Sequence, residues 1–385
     1  MIERYARITG WGMYVPERVL TNHDLEQMVD TSDEWIVTRT GIRERRIVAE
    51  GEATVSMSLA ASRQALERAG VFPADLDLII VATSTPDYLC PSASSILQDR
   101  LGARKAAAFD LVAGCSGFVY GLVTASQFIQ TGFYERALVV GAETLSAGVD
   151  WTDRNTCVIF GDGAGAVVLQ ASSSPTGILA AELGSKGSDW DALMCPGGGS
   201  ANPFCREVLE RREHYLRMDG RRVFKFATRI MSESVRRVVS KSGVPWEEIK
   251  LLIPHQANSR IIELGARRLG MPMEKVMVNL DRYGNTSAAS IPLALCEAVE
   301  EGKLQPGDHV VLVAFGAGLT WATVVMHWEP TEPEGILVLD WPVRERLEQQ
   351  MARVRTAAWS ARVALSTRVS EAAMAMLLPL YTWTG

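Results

Sequence analysis

The stretch AGVFPADLDLIIVATST, residues 69–85, decides how this chain folds. Gly-Val closes a helical pattern, a proline-containing turn with acidic residues follows, and LDLIIVAT (76–83) then runs apolar for the length of a strand. An apolar run without polar alternation is the pattern of a strand buried on both faces. The same succession returns in SGVPWEEIKLLIPHQAN (242–258). A second pair, FGDGAGAVVL (160–169) and FGAGLTWATVV (315–325), follows in the same order. Two matching pairs in one order predict a duplicated chain, with one half over 1–172 and the other over 173–328. Chance likeness between α/β repeats is the plainer alternative.

Outward from these stretches the pattern alternates. RALVVGAE (136–143), AGAVVLQA (164–171), IKLLIPH (249–255) and HVVLVAFG (309–316) read as further buried strands. Helical spacing occupies 54–69, 116–130, 223–241, 259–269 and 287–301. Strands separated by helices predict an α/β layered fold. The segment 184–222, with CPGGGSANPFC (195–205) and a charged run, reads as an insertion or lid on the second half. Its glycines lack the Lys-Ser/Thr of a phosphate-binding loop, so a flexible turn is the better reading. From 329 the character changes: EPTEPEG (329–335) reads as a linker, and the rest, to residue 385, as an accessory amphipathic helical tail. Contact of that tail with a membrane surface is the alternative.

Composition bounds the function. The chain has 385 residues, 47% apolar and 22% charged, with a net charge of −6. That balance suits a soluble globular protein and argues against a nucleic-acid partner, so any acidic partner must be met by a local basic patch. No apolar run is long enough for a transmembrane helix. The six cysteines show no CxxC spacing and the N-terminus MIERYARITGWG has no apolar signal core, which predicts free thiols in a reducing cytoplasm, without a zinc site.

Few residues are placed to carry chemistry. Cys115 follows the strand-like AAFDLV and opens a helical segment, where unpaired N–H groups and the helix dipole stabilise a thiolate. Gly114 and Gly117 leave room for close approach. An inert packed cysteine fits the same local pattern. His255 ends a buried strand, where open α/β sheets place functional groups, although a satisfied core histidine also ends strands. Asn285 lies in a Gly-Asn turn leading into a helix and could equally be a cap. GAGLT (316–320) offers backbone N–H groups suited to an oxyanion hole, or simply a tight strand connection.

Together these residues resemble a known family. TSDEWIVTRTGIRERR (31–46), DLVAGCSGFVYGL (110–122), RNTCVIFGDGAGAVVL (154–169), IPHQANSRI (253–261), NLDRYGNTSAASIPLAL (279–295) and VLVAFGAGLTWA (311–322) match β-ketoacyl-[acyl-carrier-protein] synthase III in order and spacing across nearly all of 1–328. The resemblance implies a thiolase-like fold, two similar βαβαβαββ halves in a five-layer αβαβα arrangement, and a homodimer. It implies a catalytic triad of Cys115, His255 and Asn285, with the backbone N–H groups of Cys115 and Gly316 as the oxyanion hole, each donor worth ~3 kcal/mol. The reaction implied is condensation of an acyl-CoA primer with malonyl-acyl-carrier protein through an acyl-Cys115 intermediate, with no metal or redox cofactor. His255 would act as a neutral donor to the malonyl thioester oxygen. Trp35 and Arg39 would clamp the CoA adenine, with Arg154 stacking opposite, and Asn258 would touch the pantetheine arm. Lys225, Arg260, Arg267 and Arg268 would meet an acidic carrier protein.

Two features depart from the family. Cys90, before Pro91, stands where the family often has a large aromatic that reaches across the dimer to close the acyl pocket. A smaller residue there predicts room for branched or longer primers. The tail past 329 has no counterpart. The alternatives are a related condensing enzyme of secondary metabolism, a Cys-His-Asn thioester hydrolase, and a non-catalytic carrier-protein binder.

Overall fold

The computed structural model describes residues 4–330. The linker and tail expected over 329–385 therefore lie, past Pro330, outside the described residues. A first sheet holds β1 (Tyr5–Tyr14), β2 (Leu78–Ala82), β3 (Ala107–Leu111), β4 (Arg136–Glu143) and β5 (Gly163–Ser172) in the order β1-β5-β4-β2-β3. The second holds β6 (Gly177–Ser185), β7 (Ile249–Pro254), β8 (His309–Gly316) and β9 (Thr320–His327) in the order β7-β8-β9-β6. In both sheets the two strands nearest the duplicated motifs run parallel and the last two join antiparallel. A parallel bridge from Leu252 to Val276 stands where β3 stands in the first sheet. The two topologies are thus the same, five positions each, as the motif pairs implied.

Helices fill the three remaining layers. They are α1 (Asp33–Thr40), α2 (Thr54–Ala69), α3 (Ala93–Leu101), α4 (Gly117–Gln130), α5 (Gly220–Ser242), α6 (Ser259–Leu269) and α7 (Ser290–Glu300). Alternation along each strand sorts the side chains between layers. Leu78 and Ile80 face a central core with Phe118 and Leu122 of α4 and Ile291 and Leu295 of α7. Ile79 and Val81 face outward onto α2 and α3. Leu312 shares the central core, while Val311 and Val313 face α5 and α6. A run such as LIIVA must be apolar throughout because both its faces are covered, which produces five layers, αβαβα. Among the described residues no helix is long and apolar enough to cross a membrane.

Sequence periodicity missed β1. YARITGWGMY has too many glycines to read as a strand, yet they are what the packing needs. A Cβ on Gly10 would lie 2.0 Å from the Ala65 carbonyl oxygen, and one on Gly12 2.2 Å from that of Ala61. The strand lies against the backbone of α2, a distance only glycine permits. The segment read as a lid carries a 3₁₀ stretch (Gly187–Ala192), a short helix (Arg206–Glu210) and a two-residue strand pair, and it contributes Leu193 and Met218 to the cavity described next.

Candidate active site

Cys115 sits in a 3₁₀ turn, Gly114–Ser116, between β3 and α4. The end of β8 passes directly beneath it. A Cβ on Gly316 would lie 2.5 Å from the Cys115 amide nitrogen, and one on Gly114, where φ is +53°, 2.8 Å from the Ala317 nitrogen. Gly316 faces Cys115 and Gly114 faces Ala317, so that two backbone segments can touch. Thr320 fastens the contact: its Oγ1 lies 2.9 Å from the Ala113 carbonyl oxygen and 3.1 Å from Ser116 Oγ.

His255 extends from β7, its N–H donating to the Val313 carbonyl at 2.8 Å. Its ring is buried, edge-on to Phe315 at 5.1 Å, with Nδ1 2.7 Å from Ser290 Oγ. Burial pushes its pKa down to about 3, so the imidazole is neutral near pH 7. Asn285 is held by a parallel bridge to the segment 159–161: its N–H donates to the Ile159 carbonyl at 2.8 Å and its carbonyl accepts from the Gly161 N–H at 3.1 Å. Its Oδ1 accepts from the Ser287 N–H at 2.8 Å, which orients the carboxamide. Segments 140 and more residues apart thus bring Cys115, His255, Asn285 and Gly316 to one cavity of about 530 Å³.

The thiol departs from expectation. A helix N-terminus was expected to lower its pKa; instead burial pushes it up to about 12, opposed by the neighbouring Ser287 side chain and reinforced by the charge of Glu143. Desolvation outweighs the helix end because the residue is buried. Sequence reasoning did not single out Glu143 or Ser287. Glu143 ends β4 fully buried and accepts from Thr85 Oγ1 at 2.7 Å, the Ser84 N–H at 3.0 Å and Ser287 Oγ at 3.0 Å. Burial pushes its carboxyl up, and those donors oppose the shift. An acid ending an otherwise apolar run was the one available signal.

At the cavity mouth Trp35 is stacked by two guanidinium groups, Arg39 at 4.3 Å and Arg154 at 5.2 Å from the ring centroid. Arg154 is anchored by the Asp30 carbonyl at 2.8 Å. Asn258 lines the cavity but its amide is engaged: Oδ1 caps α6 at the Arg260 N–H and Nδ2 donates to the Arg39 carbonyl, both at 2.9 Å. Its first use is therefore to tie α6 to α1. A second, mostly apolar cavity of about 270 Å³ opens on the other side of Cys115, bounded by Leu145, Phe160, Leu193, Met194 and Leu216. Cys115 lies where the two cavities meet.

Cys90 is not part of either cavity; it is exposed on the loop before α3. Lys225, Arg260 and Arg267 are exposed on α5 and α6. Arg268 differs from them, because its Nη1 donates to the Thr228 carbonyl at 2.6 Å and joins the two helices. Arg221 and Arg229, four residues either side of Lys225 and also exposed, extend its stripe. Their i, i+4 spacing in GRRVFKFATR was the signal that could have found them.

A thiol at a cavity junction, with a neutral imidazole and a carboxamide beside it, suits acyl transfer followed by stabilisation of an oxygen anion. Known proteins are similar to the chain in sequence and fold. The family described as 3-oxoacyl-[acyl-carrier-protein (ACP)] synthase III matches residues 109–187, and its C-terminal part matches 239–328. The chain is 56% identical over 325 residues to the β-ketoacyl-[acyl-carrier-protein] synthase III of Symbiobacterium thermophilum, covering 84% of this chain and 98% of that protein. It is 54% identical over 324 residues to the enzyme of the same name from a Roseiflexus species, with the same coverage. The crystal structure of 3-oxoacyl-[acyl-carrier-protein] synthase III from Aquifex aeolicus superposes with a TM-score of 0.78 at 49% identity, over 84% of this chain and all of that one. The priming β-ketosynthase of the R1128 polyketide pathway is more distant, at 36% identity over 86% of this chain and 98% of its own, with a TM-score of 0.79. The chain belongs to the β-ketoacyl-[acyl-carrier-protein] synthase III family.

Proposed function

We propose that this protein starts fatty-acid synthesis by condensing an acyl-CoA primer with malonyl-acyl-carrier protein through a thioester on Cys115. The observation that supports the assignment of the residues is the meeting of Cys115, His255 and Asn285 in one polar-mouthed cavity, with Cys115 also bordering a second, apolar one. In the first half-reaction the Cys115 sulfur attacks the primer carbonyl and the CoA sulfur leaves. The stacked Trp35, Arg39 and Arg154 suit the adenine and phosphates of CoA. The 53- to 56%-identical relatives carry this activity in their names, which favours it over a secondary-metabolism role.

In the second half-reaction the malonyl thioester takes the place of CoA. His255 and Asn285 hold its oxygen as CO₂ departs, and the resulting enolate attacks acyl-Cys115. The bond changes balance without a redox agent or a metal. The acyl chain occupies the apolar cavity beside Leu145, Phe160 and Leu193. Arg221, Lys225, Arg229, Arg260 and Arg267 form the surface for an acidic carrier protein. The halves 1–172 and 173–328 divide the labour, thiol from the first and oxygen-binding groups from the second.

A homodimer through the edge strand β3 completes the reading. Tyr88, Leu89, Phe109 and Val112 crowd this free edge and are exposed, Leu89 by 87%. In that dimer Cys90 approaches the partner's acyl cavity. The test is incubation with a panel of acyl-CoA primers and malonyl-carrier protein, with mass spectrometry of the intact enzyme and the carrier. Acyl-Cys115 and a β-ketoacyl carrier support the reading; free acid as the product indicates a hydrolase. A strong preference for acetyl-CoA over isobutyryl- and octanoyl-CoA would remove the argument from Cys90.

A further inference from the structure

Two buried hydrogen bonds determine which nitrogen of His255 carries the proton. Ser290 Oγ lies 2.7 Å from His255 Nδ1 and 2.5 Å from the Ser287 carbonyl oxygen. A hydroxyl has one proton, and a carbonyl oxygen can only accept. The Ser290 proton therefore goes to Ser287, and Ser290 meets Nδ1 with lone pairs alone. In a neutral imidazole Nδ1 must then be the protonated nitrogen and Nε2 the acceptor. The Ser287 carbonyl has little freedom to turn away. Its own N–H is bound to Asn285 Oδ1 at 2.8 Å, its Oγ to Glu143 Oε1 at 3.0 Å, and its φ is +50°, left-handed backbone uncommon for a residue with a side chain.

We propose that Ser290 is a positioning residue that sets the tautomer of His255, so that His255 enters the cycle as a hydrogen-bond acceptor at Nε2 and becomes a donor only after taking a proton. The neutral donor implied by the family resemblance would need its proton on the other nitrogen to donate from Nε2. In acylation the Cys115 S–H bond breaks and its proton goes to Nε2 as sulfur bonds the primer carbonyl carbon. The bond from that carbon to the CoA sulfur then breaks, and the proton passes from Nε2 to CoA, which leaves as a thiol. In condensation Nε2 takes one proton from a solvent hydronium ion as the malonyl carboxylate enters, whose negative charge opposes the burial that keeps the empty site's imidazole neutral. Nε2–H then donates to the malonyl thioester oxygen while the carboxylate departs as CO₂. The enolate carbon bonds the acyl carbon, the Cys115–acyl bond breaks, and the Cys115 sulfur receives the Nε2 proton. One solvent proton enters and the free thiol is restored.

The half-reaction assignments rest on the condensation reading; the tautomer does not, so the two can fail separately. The chain has five histidines, so ¹⁵N-histidine labelling with two-bond ¹H–¹⁵N correlation, assigned by loss of signals in His255→Asn, reads the tautomer directly. The expected result is Nδ1–H in the parent, Nε2–H in Ser290→Ala, and Nδ1–H again in Ser290→Thr. In kinetics, Ser290→Ala should slow acyl-Cys115 formation at least about tenfold, the low end of general-base catalysis, and slow CO₂ release from malonyl-carrier protein much less. Ser290→Thr should restore acylation. An Nε2–H tautomer in the parent, or equal loss of both half-reactions in Ser290→Ala, overturns the proposal. A parent that shows Nδ1–H but makes no β-ketoacyl carrier overturns the functional reading alone.

Discussion

Gly316→Ala tests the contact on which the oxyanion site depends. The added methyl would lie 2.5 Å from the Cys115 nitrogen, 3.1 Å from its Cα and 3.1 Å from the Ser116 nitrogen. Ordinary contact between such atoms is near 3.5 Å, so β8 and the nucleophile turn must separate by about 1 Å. Neither side can yield by rotating a side chain, because both sides are backbone. Oxyanion donors act at about 2.7–3.1 Å, and a shift of about 1 Å at a reacting centre costs on the order of 100-fold. Overpacking of this kind costs about 1–3 kcal/mol of stability, so the fold should survive. The assay is the rate of acyl-Cys115 formation from acyl-CoA, followed by quenched-flow mass spectrometry. Gly187→Ala is the control, since a Cβ there meets nothing within 4 Å. Acylation by Gly316→Ala within a few-fold of the parent, with Gly187→Ala unchanged, would refute the claim that this backbone contact between Gly316 and Cys115 builds the site.

Three further outcomes are expected. Burial lowers His255 from an ordinary 6.5 to about 3, so an unfolded chain binds its proton below about pH 6.5 and the folded chain does not. Its share of stability is full above that pH and falls as pH drops toward 3; urea midpoints from pH 7 to pH 4 should decline less steeply in His255→Gln, and parallel profiles would count against the burial. Trp35→Ala removes the surface on which Arg39 and Arg154 stack, and should raise KM for acyl-CoA roughly tenfold, the size of a desolvated cation–π contact, with KM for malonyl-carrier protein nearly unmoved. Arg229→Glu should raise KM for malonyl-carrier protein, more at low salt than at high, and leave primer acylation unchanged; a salt-independent effect would remove α5 from the docking surface.

The fold was legible where one local rule governed a segment. LIIVA and VVLVAFG must be strands because both faces are covered, and 54–69 and 259–269 carry helical spacing that the structure repeats residue for residue. β1 escaped notice because its glycines answer to the backbone of α2, about fifty residues away. Among site residues, the strand-to-helix position of Cys115 and the strand-end position of His255 were visible from local pattern. Glu143, Ser287 and Ser290 were not, since each matters only for what it faces.

What the sequence by itself determined is the duplicated α/β arrangement and the family, because strand burial, turn chemistry and motif order are properties of contiguous residues. What only the tertiary structure decided is the electrostatic state of the site. The Cys115 thiol lies high and not low, the His255 imidazole is neutral, and one serine fixes its proton. Desolvation and hydrogen-bond direction depend on which atoms surround a group, and those atoms come from β3, β4, β7, β8 and α7, which folding alone brings within reach of one another.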